Sequence, residues 1–336
     1  MIAFGVVGIE HPHAMNMIAG LLAAGARCAG LYTAEPGPVF AQCRARFPDL
    51  PVVDDARRLI ESVALVVSAD VPDRRAAVAV SALRAGRDVL VAKPGCTTPG
   101  QLAEIRAAVE ETGRRWVVAF SERLHVRSAV RAGDLVHAGA IGTVVQTIGL
   151  GPHQLKLPTR PGWFFDVERN GSILTDLASH QIDQFLYYTG STDAEIVAST
   201  VANYGMPERP SFEDFGEVLL RAERAHGYVR VDWYSPDGLK TWGDGRLTIL
   251  GTAGYIELRK YVDPAGRAGG DHLFLVDGQE TRYVDCSDVR LPFYPDLVRD
   301  VEERTETAIG QEHTFTVSEL SIRAAEQAHR AGHLTG

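Results

Sequence analysis

Short apolar runs alternate with longer amphipathic segments over residues 1–120. The apolar runs are predicted β-strands at residues 2–8, 27–32, 64–69, 88–93 and 116–120, and the segments between them carry apolar residues at helical spacing. Strands that alternate with helices are typical of β-α-β units, in which the strands pair in parallel. The pattern therefore predicts an α/β domain with a doubly wound parallel sheet over residues 1–121.

A different pattern follows a predicted helix at residues 126–139. Apolar and polar residues now alternate with a period of two, which is typical of an antiparallel sheet with one buried face. A helix at 171–188 interrupts the predicted strands, and helices at 293–307 and 316–333 follow them. We expect an α+β domain over residues 122–336 with a large, mostly antiparallel open sheet. We also expect the helix at 316–333 to pack back on the first domain.

The composition limits the classes of ligand that need to be considered. The chain has 336 residues, 45% of them hydrophobic and 23% charged, which fits two globular domains. Its net charge of −9 is spread without a block of Lys or Arg, so nucleic acid is not an expected ligand. No apolar run approaches the roughly 18 residues that a membrane span needs. The four cysteines are scattered, so we expect reduced thiols, a cytoplasmic protein and no bound metal.

One of the few lysines ends a predicted buried strand in the segment VLVAKPGCTT. The chain contains four lysines against 30 arginines, and Lys93 is followed by Pro94, which cannot continue the sheet ladder. The carboxyl ends of strands in such a sheet face the ligand crevice. A lysine held there can donate a hydrogen bond or a proton to a substrate oxygen. The alternative is an ordinary surface lysine at the end of a strand.

A second candidate lies in the predicted helix NGSILTDLASHQIDQFLYYTG. At about 100° per residue, Asp176, His180 and Asp183 fall within about 60° of one another, opposite the apolar side of the helix. His180 lies one turn after Asp176, which can orient the imidazole as a general base. The alternative is a solvated helix face. Against it, that face carries no Lys, Arg or Glu, and the small Ser179 leaves room beside it.

The opening segment GVVGIEHPHA resembles a glycine-rich dinucleotide turn with most of its glycines missing. Gly8 ends the first strand, but Glu10 and His13 occupy the other two glycine positions. Pro12 still begins a helix, whose free N–H groups and dipole attract phosphate. We expect this loop to bind a pyrophosphate less closely than a full glycine turn, with His11 and His13 as additional donors.

Together these residues resemble the Gfo/Idh/MocA oxidoreductases, the family of glucose-fructose oxidoreductase and inositol dehydrogenase. The resemblance extends to the segments FSERLHVRSAV (120–130), GAIGTV (139–144) and ILGTAGYIEL (249–258). It implies a Rossmann domain that binds NAD or NADP and a second domain whose open sheet pairs subunits into a homodimer or homotetramer. It also implies a sugar or polyol substrate. The family's catalytic lysine, aspartate and histidine fall on Lys93, Asp176 and His180.

The resemblance and the strand ends together define the predicted contacts. The predicted cofactor contacts are Gly8, Ile9, Glu10, His11, Thr33, Ala69, Asp70, Lys93, Pro94 and Glu122. The predicted substrate contacts are Arg123, His153, Arg160, Trp163, Asp176 and His180. Three of the latter lie in the segment GPHQLKLPTRPGWFFD, where an aromatic side chain with flanking donors suits a sugar ring. Trp163 is equally compatible with core packing.

Several positions depart from the family pattern. Ala92 precedes the Lys-Pro pair where an acid is usual, and Arg75 stands where a histidine is frequent. Thr33 ends the second strand where an acid commonly binds the ribose, while Glu35 follows closely enough to supply a carboxylate. We therefore expect the protein to tolerate both NAD and NADP.

The sequence favours an NAD(P)-dependent oxidoreductase that transfers a hydride between nicotinamide and a hydroxyl or keto carbon of a sugar, polyol or inositol-like substrate. Three alternatives remain open at this point. One is a redox-neutral lyase or glycosidase that retains its cofactor. Another is a non-catalytic sensor of dinucleotide or sugar, which has no need of the Lys93, Asp176 and His180 trio. The third is a metal-dependent isomerase or hydrolase with His153, Asp176 and His180 as ligands.

Overall fold

The computed structural model describes residues 1–331, which form two compact units. Unit 1 comprises Met1–Ala119, Glu168–Asn170 and Pro292–Ser318, and unit 2 comprises Phe120–Val167, Gly171–Leu291 and the described residues from Glu319 onward. The sequence-based division at residue 121 placed 292–318 in the second domain, whereas the structure places this segment in unit 1. Residues 332–336 of the predicted second domain lie outside the described residues.

Unit 1 is built on a five-stranded sheet in which every pairing is parallel. Its strands have the order β2-β1-β3-β4-β5. They are β1 (Ala3–Ile9), β2 (Arg27–Tyr32), β3 (Leu65–Ala69), β4 (Asp88–Ala92) and β5 (Trp116–Ala119). The central strands β3 and β4 are buried at every position, as expected for a parallel sheet covered on both faces. The predicted five strands and the doubly wound sheet are confirmed.

Five helices connect these strands. They are α1 (His13–Ala23), α2 (Pro38–Arg46), α3 (Ala56–Glu61), α4 (Pro72–Arg84) and α5 (Pro99–Thr112). Local chemistry sets several of their ends. Asp55 and Thr98 accept hydrogen bonds from the first-turn N–H groups of α3 and α5, and Gly113 ends α5 in the left-handed conformation.

Unit 2 is built on a nine-stranded sheet within the described chain. The order is β13-β12-β11-β10-β6-β9-β8-β7-β14, and only the β6–β9 and β14–β7 pairs are parallel. The strands are β6 (Val144–Pro152), β7 (Glu195–Ala202), β8 (Phe215–Arg221), β9 (His226–Asp232), β10 (Arg246–Gly251), β11 (Gly254–Arg259), β12 (His272–Asp277), β13 (Thr281–Val284) and β14 (His329–Ala331). The predicted large, mostly antiparallel sheet is confirmed.

Five α-helices lie between β5 and β7 in the sequence. They are α6 (Ser121–Leu124), α7 (Arg127–His137), α8 (Val167–Asn170), α9 (Ile173–Asp176) and α10 (Ala178–Thr189). Of these, α7, α9 and α10 pack on strands of the unit 2 sheet, whereas residues 168–170 of α8 belong to unit 1. The single helix predicted at 171–188 is therefore two helices that meet at Leu177. The turn tightens there, because the N–H of His180 donates to the carbonyl oxygen of Leu177, three residues earlier. Asp176 and His180 thus flank a junction in the helix instead of sharing one regular face.

The last segments are α11 (Phe293–Glu303) and α12 (Gln311–Gln327). The helix predicted at 316–333 starts earlier, because Gln311 hydrogen-bonds the backbone of Trp116 and Phe315 stacks on the Trp116 ring. It also ends earlier, because the chain next pairs with β7 as strand β14, and residues 332–333 lie outside the described residues. The part of the helix up to Ser318 belongs to unit 1. Among the described residues, no helix has the length and apolar character needed to cross a membrane.

Candidate active site

The carboxyl ends of the parallel strands bring most of the predicted cofactor residues to one edge of the unit 1 sheet. These residues are Gly8, Ile9, Glu10, His11, Thr33, Ala69, Asp70, Lys93 and Pro94. Gly8 has φ +84°, and a Cβ there would lie 2.5 Å from the side chain of Asp70. Only glycine fits both constraints, so β1 and the end of β3 approach each other closely around a bare backbone.

The backbone donors after β1 bond to internal acceptors, contrary to the prediction of free N–H groups. The N–H groups of Glu10 and His11 both donate to the carbonyl oxygen of Ala69, at 3.0 and 2.8 Å. The N–H of His13 donates to Nδ1 of His11, and that of Ala14 to the carbonyl oxygen of His11. The dipole of α1 still favours an anion at this end of the helix. The rings of His11 and His13 contact each other edge to face.

A carboxylate does lie at the end of β2, but it comes from the loop after β1. Thr33 Oγ1 donates to Glu10 Oε1 at 3.3 Å. Burial raises the pKa of Glu10, and the neighbouring Asp70 carboxylate raises it further. Glu35, the acid expected to serve here, is exposed, and its carboxylate lies 3.7 Å from Nη2 of Arg74. The edge therefore offers carboxylate acceptors, which suit the hydroxyl groups of a nucleoside.

Lys93 is buried at the end of β4, with 4% of its surface exposed, so the alternative of a surface lysine is wrong. The fully buried Arg75 holds the backbone on either side of it. Its Nη1 donates to the carbonyl oxygens of Ala92, Lys93 and Pro94 at 3.1, 2.6 and 2.8 Å, and its Nε donates to that of Asp70. Arg75 thus joins the ends of β3 and β4, a role that a histidine ring with two nitrogens could not fill.

In unit 2 a buried ion pair lies close to the predicted catalytic histidine. Lys260 Nζ donates to Glu122 Oε2 at 2.7 Å, and Gln181 Nε2 donates to the same oxygen at 3.0 Å. Burial alone would raise the pKa of Glu122, but the Lys260 ammonium and the nearby His180 and His153 outweigh it and lower the pKa to about 2. Glu122 is therefore an anion, and its buried Oε1 makes no hydrogen bond within residues 1–331.

A chain of glutamines extends from this pair along α10. Gln184 Nε2 donates to Gln181 Oε1 at 3.2 Å and to the carbonyl oxygen of His180 at 2.7 Å. Gly149 on β6 makes room for Gln181, because a Cβ there would lie 2.7 Å from its Oε1. The helix therefore lies close to the sheet at this point. His180 and Asp176 are buried, with 2% and 6% exposure, so the alternative of a solvated helix face is wrong.

Two predicted residues of unit 2 are bonded to each other. Arg123 donates from Nε and Nη2 to the two carboxylate oxygens of Asp183, both at 2.7 Å, and its guanidinium stacks over the Tyr187 ring. Asp183 therefore forms a buried bidentate ion pair instead of joining Asp176 and His180 in one polar triplet. Because Nε and Nη2 of Arg123 both donate to Asp183, these two groups do not face a substrate.

The segment around Arg160 forms an aromatic cluster in unit 2. The guanidinium carbon of Arg160 lies 4.2 and 4.8 Å from the ring centres of Phe164 and Trp233. Burial lowers the pKa of Arg160, while the Asp176 carboxylate acts in the opposite direction. His153 packs on Trp242, with ring centres 4.6 Å apart, and Trp163 is half-buried.

Sequence reasoning missed Lys260, Gln181 and the two aromatic rings Trp233 and Trp242. A signal for Lys260 was present, since it is one of only four lysines and directly follows the segment ILGTAGYIELR. Nothing in the sequence places it beside Glu122, which is 138 residues away. Within residues 1–331, no set of three His, Cys, Asp or Glu side chains is arranged to hold a metal ion.

Comparisons with known proteins agree with this architecture. Residues 129–257 match the family model described as the GFO/IDH/MocA C-terminal domain. A solved structure from Erwinia carotovora atroseptica SCRI1043, described only in general terms as an oxidoreductase, is 45% identical with a TM-score of 0.95. The match covers 98% of this chain and 99% of that one.

Two further matches are more distant. Inositol 2-dehydrogenase 1 of Saccharopolyspora erythraea is 27% identical, over 97% of this chain and 93% of its own length. An oxidoreductase from Agrobacterium radiobacter, solved with NAD+, L-tartaric acid and magnesium, is 16% identical with a TM-score of 0.79. That match covers 97% of this chain and 96% of the other, and shows a shared fold. The matched family model, the 45% identical relative and the two sheets together show that this chain belongs to the Gfo/Idh/MocA family of oxidoreductases.

Proposed function

We propose that this protein is an NAD(P)-dependent dehydrogenase that acts on a hydroxyl carbon of a sugar, polyol or inositol-like substrate. The observation that carries the proposal is the burial of Lys93, Asp176 and His180, three ionisable side chains with 4%, 6% and 2% exposure. Surroundings that exclude water strengthen the electrostatic interactions that acid–base chemistry uses. A protein that only senses a sugar or a dinucleotide has no need of all three.

The edge of the unit 1 sheet fits a nicotinamide dinucleotide. Gly8 leaves the end of β1 without a side chain, and Glu10 and Asp70 supply acceptors for nucleoside hydroxyl groups. The NAD+ complex of the Agrobacterium radiobacter oxidoreductase supports this assignment. Ile9, His11, Thr33, Ala69 and Pro94 remain the other proposed contacts of unit 1. The bound cofactor would supply a hydride acceptor or donor.

Three side chains are proposed to act on the substrate. His180 takes the proton from the substrate hydroxyl, and Lys93 donates a hydrogen bond to the same oxygen. Asp176 binds the substrate and orients the imidazole. The Glu122 carboxylate near His180 stabilises the imidazolium that forms when the proton is taken, since opposite charges attract strongly away from water.

The substrate side is proposed to include His153, Arg160 and Trp163. Arg160 stacks on Trp233, and aromatic faces beside hydrogen-bond donors suit the C–H and O–H faces of a sugar or cyclitol ring. The inositol dehydrogenase of Saccharopolyspora erythraea supports this class of substrate.

We also propose a cytoplasmic homodimer or homotetramer that forms through the unit 2 sheet. Large apolar side chains are exposed on several strands of that sheet, among them Leu219 on β8, Leu250 on β10, Tyr255 on β11 and Tyr283 on β13. Apolar side chains in this number on a sheet are typical of a surface that a partner covers.

The test is a titration of nucleotide-free protein with NADH and NADPH, followed by a screen of inositols, sugars and sugar acids that monitors nicotinamide absorbance. Binding together with substrate-dependent absorbance change at 340 nm is the expected result, 340 nm being about where reduced nicotinamide absorbs. Failure of both nucleotides to bind would reject the proposal. Turnover of a glycoside without net absorbance change would favour the lyase or glycosidase alternative.

A further inference from the structure

We propose that Glu10 binds the adenosine ribose and makes the protein select NAD over NADP. The proposal rests on the proposed function, because it concerns the same cofactor site. It replaces the expectation, based on Thr33, that the protein tolerates both NAD and NADP. It also assigns a role to the residue that stands where the family's glycine turn has its second glycine.

The position of the Glu10 carboxylate is the first step. One oxygen accepts the hydrogen bond from Thr33, the first residue after β2. The other lies 3.6 Å from the position that a Cβ on Gly37 would occupy, and Gly37 is the residue before α2. The carboxylate therefore lies over the loop between β2 and α2. In a dinucleotide-binding fold the end of β2 is where an acid binds the 2′-hydroxyl of the ribose.

The second step is the charge that surrounds this carboxylate. Asp70, Glu35 and Arg74 are the ionised groups that act on Glu10. Arg74 is shared, since its Nη2 also lies 3.7 Å from Glu35. Three carboxylates thus share the Arg74 guanidinium, and Arg75 acts on one of them, Asp70, so the group keeps a net negative charge. A 2′-phosphate would add about two further negative charges to this group, whereas a 2′-hydroxyl would donate a hydrogen bond to a carboxylate.

Glu10 is better placed for this role than Glu35. The Glu10 side chain is partly buried and held at one end by Thr33, so little conformational entropy is lost when the ribose binds. The Glu35 side chain is 75% exposed and its carboxylate faces Arg74. Burial also raises the pKa of Glu10, as expected of a carboxylate with few donors, and ribose hydroxyls would supply them.

The experiment measures the dissociation constants of NADH and NADPH for the whole chain, by nicotinamide fluorescence or calorimetry, without substrate. We expect NADH to bind about 100-fold more tightly than NADPH, since the difference combines a lost charge-assisted hydrogen bond with like-charge repulsion. Glu10→Gln should reduce that ratio about tenfold, because the amide keeps the size of the side chain but not its charge. Glu10→Gly, which restores the family residue, should reduce the ratio at least as much.

Two further variants separate this proposal from its rivals. Glu61→Gln removes an exposed carboxylate from α3 of the same unit and should leave the ratio unchanged. Glu35→Gln should change it less than Glu10→Gln does. Equal affinity for the two nucleotides, or a larger effect at Glu35, would overturn the proposal while the dehydrogenase assignment stands. If neither nucleotide binds, the proposed function fails and this proposal fails with it.

Discussion

Lys260 and Glu122 form an ion pair in the interior of unit 2, with Nζ 2.7 Å from Oε2 and both side chains almost fully buried. Removing two charges from water is costly, and replacing such a pair with apolar side chains is often neutral or stabilising. Stability alone therefore does not explain why the protein contains this buried ion pair. Its proximity to His180 supplies a reason, since the Glu122 carboxylate acts electrostatically on that imidazole.

Replacing only one member of this ion pair should strongly destabilise the folded protein. Lys260→Met leaves a buried carboxylate with no countercharge, and we expect the free energy of unfolding to fall by about 3–5 kcal/mol. Lys260→Met combined with Glu122→Leu should recover most of that loss but not the activity. Denaturant titration of both variants measures the first effect, and turnover measures the second. Full activity in the double variant would show that the pair has no role beside His180.

The same pair should make the protein sensitive to acid. The pKa of Glu122 falls from an ordinary 4.5 to about 2 in the folded state. A lowered folded-state pKa gives stability that is complete above the unfolded pKa and is lost as the pH falls toward the folded one. At about 1.4 kcal/mol per pH unit, this lowering of the pKa amounts to about 3–4 kcal/mol of stability. Melting temperatures between pH 6 and 2.5 should therefore fall less steeply for Glu122→Gln than for the unmodified protein.

The sequence predicted the fold well because the periodicities are local. The five parallel strands follow directly from buried runs such as 65–69 and 88–92. The C-terminal helix was misplaced because tertiary contacts decide its ends. Phe315 stacks on Trp116, and the residues after Gln327 pair with β7. Neither partner is close in sequence, so no local pattern could indicate them.

Composition and spacing each indicated candidate site residues. Lys93 was chosen because lysines are scarce and this one ends a strand, and Asp176 and His180 were chosen by their helical spacing. Asp183 was assigned to a polar face because helical spacing shows on which side of a helix a residue lies. Spacing does not show which residue it contacts, and its partner Arg123 is 60 residues away in the sequence. Glu10 was predicted as a cofactor contact in a loop that binds pyrophosphate less closely. Its contact with Thr33 could not be predicted, because it depends on the approach of two strand ends.

Arg75 should be required for the geometry of the Lys93 strand end. Arg75→Met removes a buried donor from three consecutive carbonyl oxygens, at Ala92, Lys93 and Pro94. Each unsatisfied buried group costs about 1–3 kcal/mol, so a clear loss of stability is expected. Arg75→Lys should retain more stability but lower kcat about tenfold with KM little changed, because a point charge cannot reach all three oxygens and misplacement of Lys93 affects the chemical step.

The control for Arg75 lies in the same helix. Arg84→Met changes an exposed arginine at the end of α4 that pairs with Glu111, and it should leave the free energy of unfolding and kcat unchanged. Unaltered kcat in a folded Arg75→Lys protein would show that Arg75 stabilises the sheet without positioning Lys93.

Variants of Lys93 and His180 should lose catalysis while they keep cofactor binding. Because each is proposed to act on the reacting oxygen, Lys93→Met and His180→Asn should each lower kcat by about a hundredfold or more, the range expected for a lost acid or base. Affinity for the dinucleotide should change little. Lys93→Arg should not restore turnover, because the larger planar guanidinium cannot place a donor where the buried ammonium donates to the reacting oxygen. Asp176→Asn should give an intermediate loss through poorer orientation of the imidazole.

The pH profile distinguishes a catalytic histidine from a structural one. The pH profile of kcat for the unmodified protein should show a limb due to the general base, and His180→Asn should lack that limb. Exposed residues of the same types serve as controls, and Lys240→Met and His226→Asn should keep both kcat and the limb. If folded Lys93→Met and His180→Asn proteins turn over the true substrate at near-normal rates, these two residues are structural. A sensor of dinucleotide or sugar then explains the chain better than a dehydrogenase does.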